Sequence, residues 1–159
     1  MANLGSYTTT QAVRGCLGVD ANDVRDAYLV DSKVDLELSL DLDDWLPNHA
    51  VLYSAGTTGS PTAAQVAIAN RITLYAQWFC TLEVANRPLT VPAITTDGKA
   101  QIDRFKVDLA KVAELAAAKV AKYKAELDDS VNNVTPVAPY ADFVSVAAPG
   151  ADPVTEGLQ

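Results

Sequence analysis

The sequence predicts an all-α fold, a small helical bundle with two long helices and an extended C-terminal arm. Hydrophobic residues make up 49% of the 159 residues, which is enough apolar surface for the core of one domain. Apolar side chains recur at helical spacing over two long stretches, residues 61–87 and 99–128. Four prolines fall within residues 130–159, where they interrupt any helix. We therefore expect a helical body over residues 1–129 and an arm over residues 130–159.

The predicted arm has the composition of a segment that binds along another protein. It contains no Lys or Arg, and its bulky apolar groups are too few to offset the entropy of folding alone. Apolar and aromatic groups nevertheless recur between the prolines, and aromatic side chains dominate interface energetics. We expect its partner-binding residues to be Pro136, Pro139, Tyr140, Phe143, Val144 and Val146. A compact body with such an arm indicates a subunit of an assembly.

The first helix is predicted near the N-terminus. Thr8 and Gln11 have the spacing of a capping box, with Thr9 or Thr10 as alternative caps. Gly18 is expected to end this helix, because glycine readily takes a positive φ. A short second helix follows before residue 30.

The acidic stretch from Val34 to Leu46 has two interpretations. Apolar and polar residues alternate strictly from residue 34 to 42, which is typical of a strand. We predict a helix, because the stretch is rich in Leu, Asp and Glu and poor in β-branched residues. One helical face then carries Val34, Leu38, Leu42 and Trp45. Leu36 and Leu40 fall on the opposite face, so we expect this helix to be sandwiched between neighbours.

Residues 50–60 read as a loop before the central helix. Ser60 and Pro61 predict a helix start, as an N-cap followed by proline at the first helical position. The helix is expected to run to about Arg87 and to form the core, with Trp78 fully buried.

The last helix is predicted from about Lys99 to Asp128. Its apolar positions form one stripe, Ile102, Phe105, Leu109, Val112, Ala116, Val120, Tyr123 and Leu127. A helix of this length reaches about 45 Å, at 1.5 Å of rise per residue.

Charge is segregated along the chain. Nine acidic residues lie between Asp20 and Asp44, and seven basic residues lie between Lys99 and Glu126. The basic set can be a solvated face whose last lysines complement the helix dipole. Alternatively, the acidic segment of one copy meets the basic helix of the next around a ring. The inter-subunit residues predicted by the second interpretation are Lys119, Lys122, Lys124, Asp41, Asp43 and Asp44.

Residues suited to catalysis or metal binding are sparse. The single histidine, His49, is expected in a surface loop, and Cys16 and Cys80 are expected to be free thiols, so no metal cluster is predicted. No nucleophile-elbow motif occurs, and the stretch 56–60 lacks the lysine of a phosphate-binding loop. We therefore predict no catalytic residue and no cofactor.

Overall charge and hydropathy exclude further classes of function. A net charge of −8 and a pI near 4.4 make the chain a poor candidate for binding nucleic acid tightly. No apolar run follows a basic N-terminal segment, and none is long enough to span a bilayer, so neither a signal peptide nor a membrane helix is expected.

One motif links the chain to a known family. The stretch Arg14-Gly15-Cys16-Leu17-Gly18-Val19-Asp20-Ala21-Asn22-Asp23-Val24 is followed by an acidic helix, two long helices and a tail. In this motif and order the chain resembles the head–tail connector, or adaptor, proteins of tailed bacteriophages. The similarity covers residues 7–129 as architecture and residues 7–30 in sequence.

The resemblance implies a structural virion protein without catalytic residues or cofactors. Such adaptors form a ring, usually twelvefold, between the portal and the tail or nozzle protein, and their C-terminal arm reaches the portal. Genomic DNA passes through the lumen without sequence-specific binding. The expected place is the neck of the virion, after assembly in the host cytoplasm. The alternative is another helical virion component, such as a tail-completion or decoration subunit.

Overall fold

The computed structural model describes residues 2–21, 23–87, 94–97, 100–103 and 108–132. These residues are mostly helical, which confirms a helical body, and they add two short antiparallel hairpins that an all-α prediction leaves out. The elements in chain order are β1 (Asn3–Leu4), β2 (Thr8–Thr9), α1 (Thr10–Leu17), α2 (Asp26–Asp31), α3 (Val34–Trp45), α4 (His49–Thr57), α5 (Ala63–Asn86), β3 (Ile94–Asp97), β4 (Ala100–Asp103) and α6 (Leu109–Asn132).

The central helix α5 is the centre of the body, as predicted. It packs against α1, α3, α4, α6 and β2. Its buried side chains lie around the helix rather than on one stripe, namely Ile68, Ala69, Ile72, Tyr75, Ala76, Cys80, Thr81 and Val84. Trp78 is only partly buried, and the fully buried aromatic side chain of this helix is Tyr75, which is 1% exposed.

The start of α5 lies two residues beyond the predicted Ser60–Pro61 cap. Thr62 is the N-cap, and its side chain accepts the backbone N–H of Gln65 while Gln65 accepts the backbone N–H of Thr62. This reciprocal capping box satisfies two otherwise unpaired donors, so it fixes the helix start. The helix ends at Asn86 with Arg87 as its C-cap, in agreement with the predicted end at about Arg87.

The acidic segment forms the helix α3, as predicted, but it is not sandwiched. Its stripe of Val34, Leu38 and Leu42 is fully buried against the body. Leu36 and Leu40 on the opposite face are 54% and 59% exposed. Neighbours within the described chain therefore cover only one of the two apolar faces.

The first helix begins one residue after its cap. Thr9, one of the predicted alternative caps, accepts the backbone N–H of Ala12 at 3.2 Å and caps α1. Thr8 belongs to strand β2, so the prediction that Thr8 caps this helix was wrong. Gly18 takes the left-handed conformation at φ 73° and donates its N–H to the carbonyl of Arg14, as predicted.

Helix α4 replaces much of the loop predicted at residues 50–60. It runs against α5, and Gly56 is the point of closest approach. A Cβ at Gly56 would overlap the backbone oxygen of Gln65 and lie 2.5 Å from the Cβ of Ala69. The glycine that resembles a loop signal in sequence therefore permits helix contact instead.

The last helix is displaced toward the C-terminus relative to the prediction. Residues 94–97 and 100–103 form the hairpin β3–β4, so the predicted start at Lys99 was wrong. Asp108 accepts the backbone N–H of Lys111 and caps the first turn of α6. The helix continues to Asn132, so the first three residues of the predicted arm are helical, and Val131 packs against the core.

We expect Gly56→Ala to destabilise the body by about 1–3 kcal/mol, the usual cost of overpacking. The clash with the backbone of α5 should outweigh the gain of up to about 1 kcal/mol that alanine gives in a helix. The matched control is Gly15→Ala in α1, where nothing lies within 4 Å of an added Cβ. Gly15→Ala should stabilise the chain slightly in chemical denaturation. A neutral or stabilising Gly56→Ala would contradict the close contact.

Candidate functional site

Asp41 joins three helices through side-chain contacts. One of its carboxylate oxygens accepts hydrogen bonds from the Trp45 indole N–H at 3.0 Å and from the Tyr75 hydroxyl at 2.5 Å. The Trp45 ring meets Tyr75 edge-on with centroids 5.2 Å apart, and the Lys124 ammonium lies 4.6 Å from the Trp45 centroid. The cluster therefore connects α3, α5 and α6 within one chain.

Two of the predicted inter-subunit residues have partners within their own chain in this cluster, and their role between copies stays a prediction. Asp41 is held by an indole and a phenol of its own chain, and Lys124 lies over an aromatic ring in a cation–π contact. Burial, followed by the hydrogen bond to Asp41, raises the pKa of Tyr75 far above its ordinary value, so its hydroxyl stays protonated and keeps donating. Both charged side chains thus support the fold.

His49 is buried, so its prediction as a surface-loop residue was wrong. Its Nε2 lies 3.0 Å from an Asp43 oxygen, and its Nδ1 lies 2.5 Å from the Tyr7 hydroxyl. A carboxylate oxygen accepts, so Nε2 donates to Asp43, and Nδ1 shares a hydrogen bond with the Tyr7 hydroxyl. Tyr7 also meets Tyr53 edge-on with centroids 4.8 Å apart. These contacts fasten the N-terminal hairpin to the start of α4.

Three other predicted inter-subunit residues lie closer to solvent. Asp44 is exposed at the end of α3, Lys119 is half-buried, and the Lys122 side chain is 56% exposed. Lys122 also forms an ion pair with Glu126 of its own helix at 3.6 Å. Asp43 keeps 64% of its side chain exposed although it contacts His49. The structure thus divides the predicted set into residues that join helices and residues that remain accessible.

The predicted arm residues lie outside the described residues. They are Pro136, Pro139, Tyr140, Phe143, Val144 and Val146, and their partner-binding role stays a prediction.

The motif that carries the family resemblance forms one structural unit. Arg14 is 9% exposed in its side chain; it donates to the carbonyl of Val24 at 3.2 Å and forms an ion pair with Asp26. The side chains of Thr10 and Arg14 hold the pKa of Asp26 below its ordinary value. The arginine therefore ties α1 to α2 across the turn between them.

Two ion pairs between distant segments were not predicted from the sequence. Arg87 donates to the carbonyl of Ser32 and to Glu37, both at 2.5 Å, which fixes the end of α5 to the start of α3. Arg71 pairs with Glu126 at 3.4 Å and joins α5 to α6. The paired residues lie 50 to 55 positions apart in the sequence, so local sequence patterns carry no signal for these contacts.

Both cysteines are free thiols, as predicted. Cys80 is fully buried in α5, and burial raises the pKa of its thiol to about 12. Cys16 is half-buried, and burial raises its pKa as well, although a hydrogen bond with Thr81 opposes the shift.

Comparison with protein families, with curated proteins and with solved structures finds no match for this chain.

Among the described residues, no group of three or more His, Cys, Asp or Glu side chains is arranged to hold a metal ion. The helices in this part of the chain include none with the length and apolar character needed to cross a membrane. Its polar side-chain networks, at Asp41, His49 and Arg14, connect one helix to another.

We expect Tyr75→Phe to cost about 1.5–3 kcal/mol, the range for a hydrogen bond to a charged group. The change leaves the ring in place and removes one of the two donors to Asp41. The matched control is Tyr123→Phe in α6, because the Tyr123 hydroxyl makes no hydrogen bond to another described residue. Urea denaturation of both variants measures the difference. Equal midpoints for the two variants would show that the Asp41 contact does not stabilise the fold.

We expect Asp26→Asn to destabilise the chain at neutral pH but not in acid. A carboxyl with a lowered folded-state pKa stabilises the fold above its unfolded pKa of about 3.9, and this stabilisation is lost as the pH falls through the folded pKa. The gap between wild type and variant should therefore close below about pH 3. Denaturation midpoints measured from pH 7 downward follow the gap, with Asp44→Asn as an exposed control. A gap that persists in acid would contradict the ion pair with Arg14.

Proposed function

We propose that this protein is a head-to-tail adaptor of a tailed bacteriophage, a structural subunit that forms a ring between the portal and the tail. The ring has a lumen through which genomic DNA passes without sequence-specific binding. The protein acts by assembly rather than by catalysis, and the virion neck is its place of action. The fold it contributes is the helical body with an extended C-terminal arm.

The observation that carries the proposal is the sequence beyond the end of α6. The last described residue of that helix is Asn132, and the 27 residues from 133 to 159 contain four prolines, two aromatic residues and no basic residue. The described residues already supply a continuous core from the N-terminal hairpin to Val131. A segment of this composition gains most by laying its apolar groups on a partner protein.

The polar networks of the body also favour a structural role. Asp41, His49 and Arg14 each form a buried or half-buried network, and each network joins two or more elements. Side chains that hold helices in fixed positions suit a subunit whose surfaces must match their neighbours around a ring.

The test is capture of the protein by purified portal rings and tail proteins from the virus that encodes it. Full-length Tyr140→Asp and Phe143→Asp should each weaken portal binding by about 30-fold, the loss of one interface hot spot of about 2 kcal/mol. Val154→Asp, in the same segment but outside the predicted anchors, is the matched control and should bind within about twofold of wild type.

The outcomes separate the alternatives. Wild-type protein that binds neither portal nor tail protein would overturn the adaptor proposal. Binding to the capsid surface alone would favour a decoration subunit. Unchanged portal binding by Tyr140→Asp and Phe143→Asp would remove the arm from the contact.

A further inference from the structure

Helix α3 presents an uncovered apolar face inside an acidic surface. Leu36 and Leu40 lie one helical turn apart and are 54% and 59% exposed. Asp44 lies one further turn along the same face, and Glu37 lies beside it; both are exposed. The helix carries five acidic residues and no basic one. We call Leu36, Leu40, Glu37 and Asp44 the outer face of α3. This face is apolar at its centre and negative at its edge.

Helix α6 presents the counterpart of opposite charge. Leu115 is 49% exposed, and Lys111, Lys119 and Lys122 lie four residues before, four after and seven after it. The same side of the helix therefore carries all four side chains. The side chains of Lys111 and Lys122 are 81% and 56% exposed. We call this set the outer face of α6. Acidic residues lie at its two ends, where Asp108 pairs with Lys111 at 3.3 Å and Glu126 pairs with Lys122 at 3.6 Å.

We infer that the outer face of α3 in one copy binds the outer face of α6 in the next copy. The leucines meet at the centre, and the lysines of α6 surround them opposite the carboxylates of α3. This inference rests on the proposed ring and names the contact that builds it. Because the two faces are different surfaces of the chain, the contact is heterologous, and repeated copies close into a ring when the rotation closes.

The charge of the outer face of α3 favours binding to a second copy of the chain rather than to the chain's own arm. Residues 133–159 have no basic residue and carry Asp142, Asp152 and Glu156, so the exposed carboxylates of Glu37 and Asp44 would repel them. The face needs a partner with basic groups around an apolar centre. The outer face of α6 supplies that pattern on every copy of the chain.

The two parts of the contact have different physical roles. Removing exposed leucine surface from water supplies the net attraction. The lysine stems extend the apolar area while their ammonium groups stay at the edge in water. The edge charges orient the copies and speed their encounter, and they are screened by salt. Self-association should therefore weaken from about 50 mM to about 500 mM salt without disappearing.

The first experiment tests the apolar centre with the full-length chain. Leu40→Ser and Leu115→Ser should each weaken self-association in sedimentation velocity by about tenfold or more, the equivalent of exposing one buried leucine. The matched control is Val51→Ser on α4, a helix without Asp, Glu, Lys or Arg, where Val51 is 71% exposed. The control should associate as wild type does. All three side chains are exposed, and circular dichroism checks that each variant keeps its helices.

The second experiment tests the pairing of the two faces. Asp44→Lys reverses the charge at the exposed edge of the outer face of α3, and the double variant Lys119→Glu, Lys122→Glu reverses the charge on the facing part of α6. Each protein alone should self-associate at least about tenfold more weakly than wild type, because like charges then face each other. An equimolar mixture should regain association, because the two variants can alternate with attractive contacts on both sides.

Three results would overturn the inference. They are wild-type protein that stays monomeric at millimolar concentration in low salt, variants that associate as wild type does, and a mixture that fails to recover. Duplex DNA bound by wild type and released by Lys119→Glu, Lys122→Glu would assign the outer face of α6 to phosphate instead.

A different measurement tests the proposed function. If the charge variants behave as expected but wild type captures neither portal nor tail protein, the contact between copies stands and the adaptor role falls. If the charge variants associate normally while Tyr140→Asp loses the portal, the adaptor role stands and this contact falls.

Discussion

The packing of α5 against several neighbours determines how the other elements of the described body are arranged. Its buried residues occupy more than one face of the helix, so it must be covered from several directions at once. Helices α1, α3, α4 and α6 provide that cover, and each turns its own apolar stripe inward. Small residues allow the closest approach, since Gly56 of α4 lies directly against the α5 backbone at Gln65 and against Ala69. Apolar surface left on the covering helices necessarily faces outward, as it does at Leu36, Leu40, Val51 and Leu115.

Polar side chains fix the helices that hydrophobic packing brings together. Apolar contacts are non-directional, so they hold a helix against α5 without setting its rotation. Asp41 bonded to Tyr75, Arg87 bonded to Ser32 and Arg71 paired with Glu126 add directional contacts at different heights of α5. Some of the acidic side chains therefore form contacts within the chain. Fewer acidic and basic groups are left unpaired at the described surface than the sequence indicates.

Helices with a continuous apolar stripe were predictable from the sequence, and contacts between distant segments were not. Apolar periodicity predicted α5 and α6, whereas α3 was predicted from its Leu-, Asp- and Glu-rich composition against a period typical of a strand. The stripe on α6 identified its buried side from Leu109 onward. Helix α4 was missed because Gly56 through Gly59 has the composition of a loop. His49 was misplaced because its hydroxyl partner, Tyr7, lies 42 residues away. The hairpin β3–β4 had a usable signal, the Asp-Gly pair at residues 97–98, which favours a tight turn.

Burial makes the thiols of this chain poor targets for alkylating reagents. Burial raises the pKa of Cys80 to about 12, and only the thiolate attacks such reagents. Cys16 is half-buried, and burial likewise disfavours its ionised form. A single cysteine introduced at an exposed position such as Ser54 would react far faster than either native thiol. A fluorescent or spin label could then be attached to one chosen surface without removing a core residue.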